Sequence, residues 1–327
     1  MNTINVKNLS KEYKYHEKNV GLSNSFKSLF HRETLLKKAV NNISFSIDSG
    51  EFVGFLGPNG AGKTTTLKML SGILYPTSGE VEVYNYIPWE RKKEFKRRFS
   101  IVMGQKNQLW WDLPANESFY LNKCIYEIED KEYERTISEL AELLDVKHLL
   151  KVQVRTLSLG ERMKMEIIAA LIHKPDIIFL DEPTIGLDIV SQRKVREFLK
   201  YYNESRKVTI ILTSHYMKDI EDLCKRTIVI NGGELVFDGE SKDMNGMFNR
   251  LKIVKLQLAN AVAGEEFERY GKLKDIDGMN ISLEVPKDNI ENCVRSIYDN
   301  YSVVDLNISD VPLEEGLLKI YGKGTNK

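Results

Sequence analysis

Continuous apolar runs, each closing on polar or glycine residues, recur through the first 240 positions. "FVGFLGPNGAGKTTTLKMLSGIL" (52–74) passes from a short apolar strand through a glycine-rich turn into a helical pattern. "KPDIIFLDEPTIGLD" (174–188) reads as a turn, a buried-type strand and an acidic end, and "KVTIILTSH" (207–215) as a second such strand. "RTIVINGGELVFDG" (226–239) predicts a hairpin about Gly232–Gly233. Residues 112–172 carry helical periodicity, as in Tyr133–Leu144. β-Branched runs alternating with helices predict an α/β fold whose largely parallel sheet is covered on both faces.

The pattern changes after about Gly239. "NRLKIVKLQLAN", "NISLEVPK", "NIENCVRSIYDNY", "SVVDLNISD" and "PLEEGLLKIYG" alternate between short strands and helices. The expected organisation is one large domain over 1–240, with a helical subdomain at about 106–172, and a small α+β domain over 250–327. A total of 327 residues suits that division.

Composition narrows the class. Apolar residues make up 42% and charged residues 29%, and Lys+Arg equals Asp+Glu at 47 each, so no global charge calls for a nucleic-acid partner. The first residues contain no apolar stretch of the signal-peptide kind, and the longest apolar runs, such as Ile167–Ile172, are too short to span a bilayer. Cys124, Cys224 and Cys293 are far apart without metal-ligand spacing and are expected to be packing residues.

The chemistry lies in four places. Gly57, Pro58, Asn59, Gly60, Ala61, Gly62, Lys63 and Thr64, followed by Thr65, match a phosphate-binding loop opening a helix. Backbone N–H groups and the positive helix end can wrap phosphates, Lys63 adds a charge, and the Thr64 hydroxyl can ligate Mg²⁺. Asp181 and Glu182 end the 174–188 strand, where Asp181 would sit near the metal and Glu182 would polarise an attacking water. His215 ends the next strand, on the edge where such sheets bind ligands, and is a candidate γ-phosphate contact. Gln105 closes "FSIVMGQ" (99–105) and could reach metal or water, although alone it reads equally as a surface glutamine.

Together these residues resemble an ATP-binding cassette (ABC) ATPase subunit over residues 4–240. Gly57–Thr65 are similar to the Walker A motif, Gln105 to the Q-loop, "IIFLDEP" to Walker B with its catalytic glutamate, "GLD" (186–188) to the D-loop, and His215 to the switch histidine. Tyr13, in "LSKEY", sits where the family places a ring that stacks on adenine. The resemblance implies ATP and Mg²⁺ as cofactors and ATP hydrolysis as the activity. It also implies two cassettes paired head to tail, with Ser158, Gly160 and Asp188 reaching the partner's nucleotide.

"LSLGE" (157–161) falls where the family usually has LSGGQ. Ser158 and Glu161 have capping-box spacing, so the helix N-terminus is expected to be well formed. Leu159 fits without strain if it takes helical dihedrals. Glu161 is expected to reach back to the cap rather than toward a phosphate.

The wording around the phosphate loop, the short helical region and the C-terminal segment further resemble ATPases of ABC-2-type exporters. That implies a separate integral-membrane permease as partner, the ATPase lying in the cytoplasm against the inner face of the membrane, with no nucleic acid; the complete motif set, with Glu182 intact, permits two equivalent sites and so a homodimer as well as a heterodimer. A polysaccharide-exporter ATPase, which carries a comparable N-terminal insertion, a soluble non-transport ABC ATPase and an importer ATPase are the alternatives. The insertion 14–38 holds six Lys/Arg against two Glu. Within it "SFKSLFHRETLL" predicts a short amphipathic helix, docked on permease or membrane or else folded over its own domain. "WERKKEFKRR" (89–98) reads as a solvated helix face. Of Trp110 and Trp111, one is expected in the core and the other exposed as an aromatic anchor for a permease helix.

Overall fold

The computed structural model describes residues 2–15, 35–104, 107–214, 217–243, 251–260, 262 and 264–310. The chain divides into two compact units, Met1–Gly239 and Glu240–Lys327. No helix among the described residues is long and apolar enough to cross a membrane.

The first unit is α/β. Strands β1 (Asn2–Tyr15), β2 (Leu35–Asp48) and β4 (Ser78–Val83) form an antiparallel sheet in the order β2-β1-β4. The larger sheet has the order β5-β6-β7-β3-β8-β9, built from β3 (Phe52–Leu56), β5 (Phe99–Met103), β6 (Ile177–Asp181), β7 (Thr209–Thr213), β8 (Arg226–Asn231) and β9 (Glu234–Glu240). Its pairings from β5 through β8 are parallel, and β3 and β7 are buried at every position. That burial is why they read as unbroken apolar runs. Gly232 and Gly233 both take positive φ in the two-residue turn between β8 and β9, as the sequence pattern requires.

Helix α1 (Lys63–Leu70) lies in the core between the two sheets, burying Leu67, Met69 and Leu70 among Val6, Phe45 and Val83 of one and Phe55, Phe179 and Ile211 of the other. Helices α2 (Lys93–Arg98), α3 (Ala115–Tyr126), α4 (Asp130–Leu143), α5 (Leu159–Leu171), α6 (Ile189–Arg206) and α7 (Met217–Leu223) follow. The region from 112 to 172 is helical, as its periodicity predicts.

Ion pairs fasten α3 and α4 to the rest of the unit. Glu127 pairs with Lys93 (3.0 Å) and Arg97, Glu132 with Lys174 (2.6 Å), and Glu139 with Arg206 (2.7 Å). The basic run 89–98 presents all six of its cations to solvent, as expected, while α2 buries Phe95 and turns Lys93 and Arg97 to Glu127. His173 reinforces the seam, stacking on Tyr126 with centroids 3.8 Å apart while its Nε2 lies 3.2 Å from the Phe99 carbonyl oxygen.

Three expectations are corrected. Residues 14–15 and 35–38 belong to β1 and β2, with Tyr15 opposite Leu35, so the last residues of the expected amphipathic helix are strand; 16–34 lie outside the described residues. Trp110 and Trp111 are both exposed, at 51% and 45%, so neither is core. Cys224 and Cys293 are buried, but Cys124 is exposed.

In the second unit β10 (Leu251–Leu258), β11 (Lys272–Asp277), β12 (Asn280–Pro286) and β13 (Val303–Asp310) form an antiparallel sheet ordered β11-β12-β10-β13. Helix α8 (Ile290–Asn300) buries Cys293 and Ile297 against Val254, Leu256 and Leu283. The segment "PLEEGLLKIYG" lies outside the described residues.

Candidate functional site

The parallel register brings the ends of β3, β6 and β7 to one edge. Phe55 lies opposite Thr213, and Asp181 opposite both Thr213 and Met103. The phosphate loop leaves β3 at this edge. It must be glycine at two points, where backbone approaches too closely for a side chain. A Cβ at Gly57 would lie 2.1 Å from the Ile230 carbonyl oxygen, and one at Gly62, where φ is +109°, would lie 2.4 Å from the Ala39 carbonyl oxygen. The hairpin turn supports the loop from outside: the Gly233 N–H donates to the Ala61 carbonyl (3.0 Å), and the Asn41 N–H donates to the Gly233 carbonyl (2.8 Å). Asn59 and Gly60 form the exposed tip.

Gly62 starts α1 without a side-chain cap, and the first turn carries no acidic residue. Its N–H groups are thus directed at whatever anion the loop encloses. Lys63 is buried and donates to the carbonyls of Gly57 (2.7 Å) and Pro58 (3.1 Å). Burial pulls its ammonium below the ordinary lysine range, opposed by the charges of Glu182 and Asp181. Thr65 lies half-buried behind it.

The Thr64 hydroxyl donates to the Asp181 carboxylate, 2.9 and 3.0 Å from its two oxygens. A hydroxyl and a carboxylate held together are oxygen donors suited to a hard divalent cation, so Thr64 and Asp181 fit Mg²⁺. Thr213 ties this pair to the next residue. Its hydroxyl donates to Asp181 Oδ1 (2.7 Å), and its hydroxyl and carbonyl oxygens accept the Glu182 N–H at 3.1 and 3.0 Å. Glu182 itself has φ +56°, a left-handed conformation that costs a non-glycine residue about 1 kcal/mol or more. Strain at the proposed catalytic carboxylate is held in place by Thr213 on one side and by the close packing of Gly104 on the other. A Cβ at Gly104 would lie 2.3 Å from the Glu182 carbonyl oxygen.

A buried hub lies behind this edge. Asp219 is fully buried and accepts hydrogen bonds from Thr184 (2.5 Å), Ser214 (2.7 Å) and Arg196 (2.9 Å). Those partners come from the loop after Glu182, the residue before His215, and α6. Gln105 and His215 lie outside the described residues, so their flanks alone are placed.

Ser158, Gly160 and Asp188 form a second group on helix starts. Ser158 caps α5 in a complete capping box: its hydroxyl accepts the Glu161 N–H (3.3 Å), and Glu161 Oε2 accepts the Ser158 N–H and O–H, both at 2.8 Å. The Ser158 backbone and hydroxyl donors together hold the Glu161 carboxyl below its usual range. Leu159 occupies the first helical position and is absent from the positive-φ residues, so it is unstrained. Asp188 caps α6 with its carboxylate alone, accepting from the Ser191 hydroxyl (2.6 Å) and N–H (2.9 Å), which lower its carboxyl. The two starts touch. A Cβ at Gly160 would lie 2.2 Å from Ser191 Oγ, and one at Gly186 would lie 3.0 Å from Leu159 Cδ2.

Tyr13 is 40% exposed on β1, opposite Lys37, with Lys11 Nζ 5.5 Å from its ring centroid. Since Ala39 and Val40 of the paired strand abut Gly62, the ring stands on the sheet that flanks the phosphate loop. Thr213, Asp219, Arg196 and Thr184 were not singled out in the sequence. Thr213 alone had a signal there, as the polar residue closing the "TIILT" run beside the Asp181 strand.

With this geometry in place, comparison with known proteins is specific. The ABC transporter family profile matches residues 40–185, and that of the EvrA-like ABC transporter C-terminal domain matches 250–309. The ABC transporter ATP-binding protein NatA of Bacillus subtilis (strain 168) is 35% identical over 228 residues, covering 67% of this chain and 92% of that protein. The bacitracin transport ATP-binding protein BcrA of Bacillus licheniformis is 29% identical over 294 residues, covering 88% of this chain and 94% of that protein. Among solved structures, the dimeric post-hydrolysis state of the ATP-binding cassette MJ0796 bound to ADP and Pi superimposes with a TM-score of 0.60 at 24% identity. It covers 72% of this chain and 98% of that one, a likeness of fold.

Proposed function

We propose, from the premise that this chain belongs to the ABC transporter ATP-binding family and is an ATPase, that it powers an ABC-2-type exporter. It would dimerise around two Mg-ATP and act on a separate integral-membrane permease from the cytoplasmic side of the membrane. The observation that carries the reading is the Thr64–Asp181–Thr213–Glu182 chain of hydrogen bonds beside an uncapped helix start. Metal-holding oxygens, a phosphate cradle and a strained carboxylate meet at one sheet edge.

In this reading the N–H groups of Asn59–Thr65 and the Lys63 ammonium bind the phosphates, and Tyr13 stacks on adenine. Lys63 exchanges its bonds to the Gly57 and Pro58 carbonyls for phosphate oxygens. Thr64 and Asp181, with Gln105, would hold Mg²⁺, which supplies charge neutralisation at the phosphates. Glu182 accepts a proton from, and orients, the attacking water, and His215 contacts the γ-phosphate. Ser158, Gly160 and Asp188 act on the nucleotide of the second copy. The dimeric MJ0796 cassette supports pairing of two cassettes, and the names of NatA and BcrA support a transport partner. Exposed Trp110, Trp111 and Leu113 form the surface offered to the permease.

The test is the molar mass in solution of Glu182→Gln protein with and without Mg-ATP. Doubling with nucleotide supports the paired-cassette reading and shows that Leu159 is tolerated. A mass unchanged while ATP binds would refute ATP-driven self-pairing of the isolated chain and mean that closure needs the permease, a different partner cassette or a stronger signature.

A further inference from the structure

One buried carboxylate has no part in the site just described. Glu166, on α5, is 3% exposed among Met165, Ile167 and Ile168, which are buried as well. A charge placed there needs specific partners. Oε1 accepts the N–H groups of Gln108 (2.9 Å) and Leu109 (3.3 Å), in the segment that follows Gln105. Oε2 is buried without a hydrogen-bond partner among the described residues.

The same segment is gripped at further points. Arg162, one turn before Glu166, places its guanidinium 5.4 Å from the centre of the Trp111 ring. The Arg155 N–H donates to the Trp111 carbonyl (3.0 Å), and the Ser118 hydroxyl accepts the Trp110 N–H (3.0 Å). Leu159, Arg162 and Glu166 follow a three-then-four spacing that puts them on one face of α5. That face touches Gly186 at one end and the Gln108–Leu109 backbone and the Trp111 ring at the other.

We propose that Glu166 is a positioning residue for ATP hydrolysis, clamping the segment after Gln105 onto α5 so that this segment, Trp111 and the Ser158 helix start move as one body. Its hydrogen-bond partners among the described residues are Gln108 and Leu109, not the phosphate loop, Asp181 or Glu182. Its effect is to fix the backbone at Gln108 and Leu109 relative to Ser158, and so it governs turnover rather than ATP affinity. The proposal rests on the ATPase activity and is independent of which permease is served.

The test compares wild type, Glu166→Leu and Glu166→Gln as purified full chains. Steady-state Mg-ATP hydrolysis is measured alongside hydrogen exchange at the Gln108 and Leu109 amides. Glutamine keeps the Oε1 acceptor and leucine does not. The expected result for Glu166→Leu is a kcat at least tenfold lower, a KM for ATP within twofold of wild type, and lost protection at both amides. Glu166→Gln restores protection and brings kcat to within threefold. A kcat unchanged in Glu166→Leu, a KM that rises as kcat falls, or no rescue by glutamine would overturn the proposal. If the leucine variant does not fold, Glu166→Gln still decides, because lost amide protection with kcat intact refutes the clamp. Wild-type protein that hydrolyses no ATP would count against the ATPase reading instead, and the amide exchange would still report on the clamp.

Discussion

His173 makes the hold of the helical region on the sheet sensitive to pH. Its Nε2 donates to the Phe99 carbonyl, its ring lies flat on Tyr126, and Nδ1 is buried without a partner among the described residues. A second proton would have to reside on that Nδ1. Burial is the larger influence and the Phe99 bond opposes it, leaving the ring at about 4 against an ordinary 6.5. The native ring is therefore neutral where the unfolded ring is charged. The unfolded state binds the extra proton, so stability is complete above about pH 6.5 and is lost as pH falls toward 4. Between pH 8 and pH 5 the loss integrates to about 2 kcal/mol from this ring alone. Urea unfolding followed by tryptophan emission measures it well, because Trp89, Trp110 and Trp111 all lie in the first unit. His173→Phe keeps the stack and cannot charge. It should be weaker than wild type at pH 8 yet lose about 2 kcal/mol less on acidification. Equal losses in the two proteins, within about 0.5 kcal/mol, would refute the assignment of the pH dependence to His173.

Two further outcomes follow from bonds at the strand ends. Thr213→Val removes the donor to Asp181 and one of the two acceptors of the Glu182 N–H, and bonds to charged groups contribute about 1.5–3 kcal/mol. Its kcat should fall about tenfold or more and its unfolding free energy by about 1.5–3 kcal/mol, and unaltered turnover would show that Thr213 does not organise the carboxylates. Arg196→Met strips the buried Asp219 of its cation and should cost about 3–5 kcal/mol in denaturant unfolding; a loss below about 1 kcal/mol would mean that Thr184 and Ser214 suffice.

What could be read from the chain followed from how local each signal is. The phosphate loop and the Asp181–Glu182 strand end are contiguous, and glycine positions there are dictated by backbone approach, so their strand–turn–helix setting was legible. So was the Ser158–Glu161 cap, whose partners are three residues apart. Thr213 needs the β6–β7 register, 32 residues away, before its hydroxyl means anything. Glu166 bonds backbone amides 57 and 58 residues distant, and its own neighbours gave only a polar residue on an apolar helix. Strand β11 escaped notice because "KLKDID" is mostly exposed and too polar to register as a run. The expected burial of one tryptophan failed for the opposite reason. An aromatic pair suggests a core, yet the backbone of this segment is anchored through Glu166, Ser118 and Arg155, which leaves both rings outside.

The capping box on α5 has a consequence for timing. The hydroxyl proposed to meet a second copy's γ-phosphate already donates to Glu161, and so does the backbone N–H beside it. A phosphate arriving across the pair comes as a competitor to a resident anion. It must displace a carboxylate whose proton affinity those same donors have lowered. In the paired arrangement a nucleotide that ends one phosphate short offers nothing at that point with which to compete. The cap would then act as a threshold: the pair stays apart over ADP and closes only when the incoming charge outweighs the helix's own.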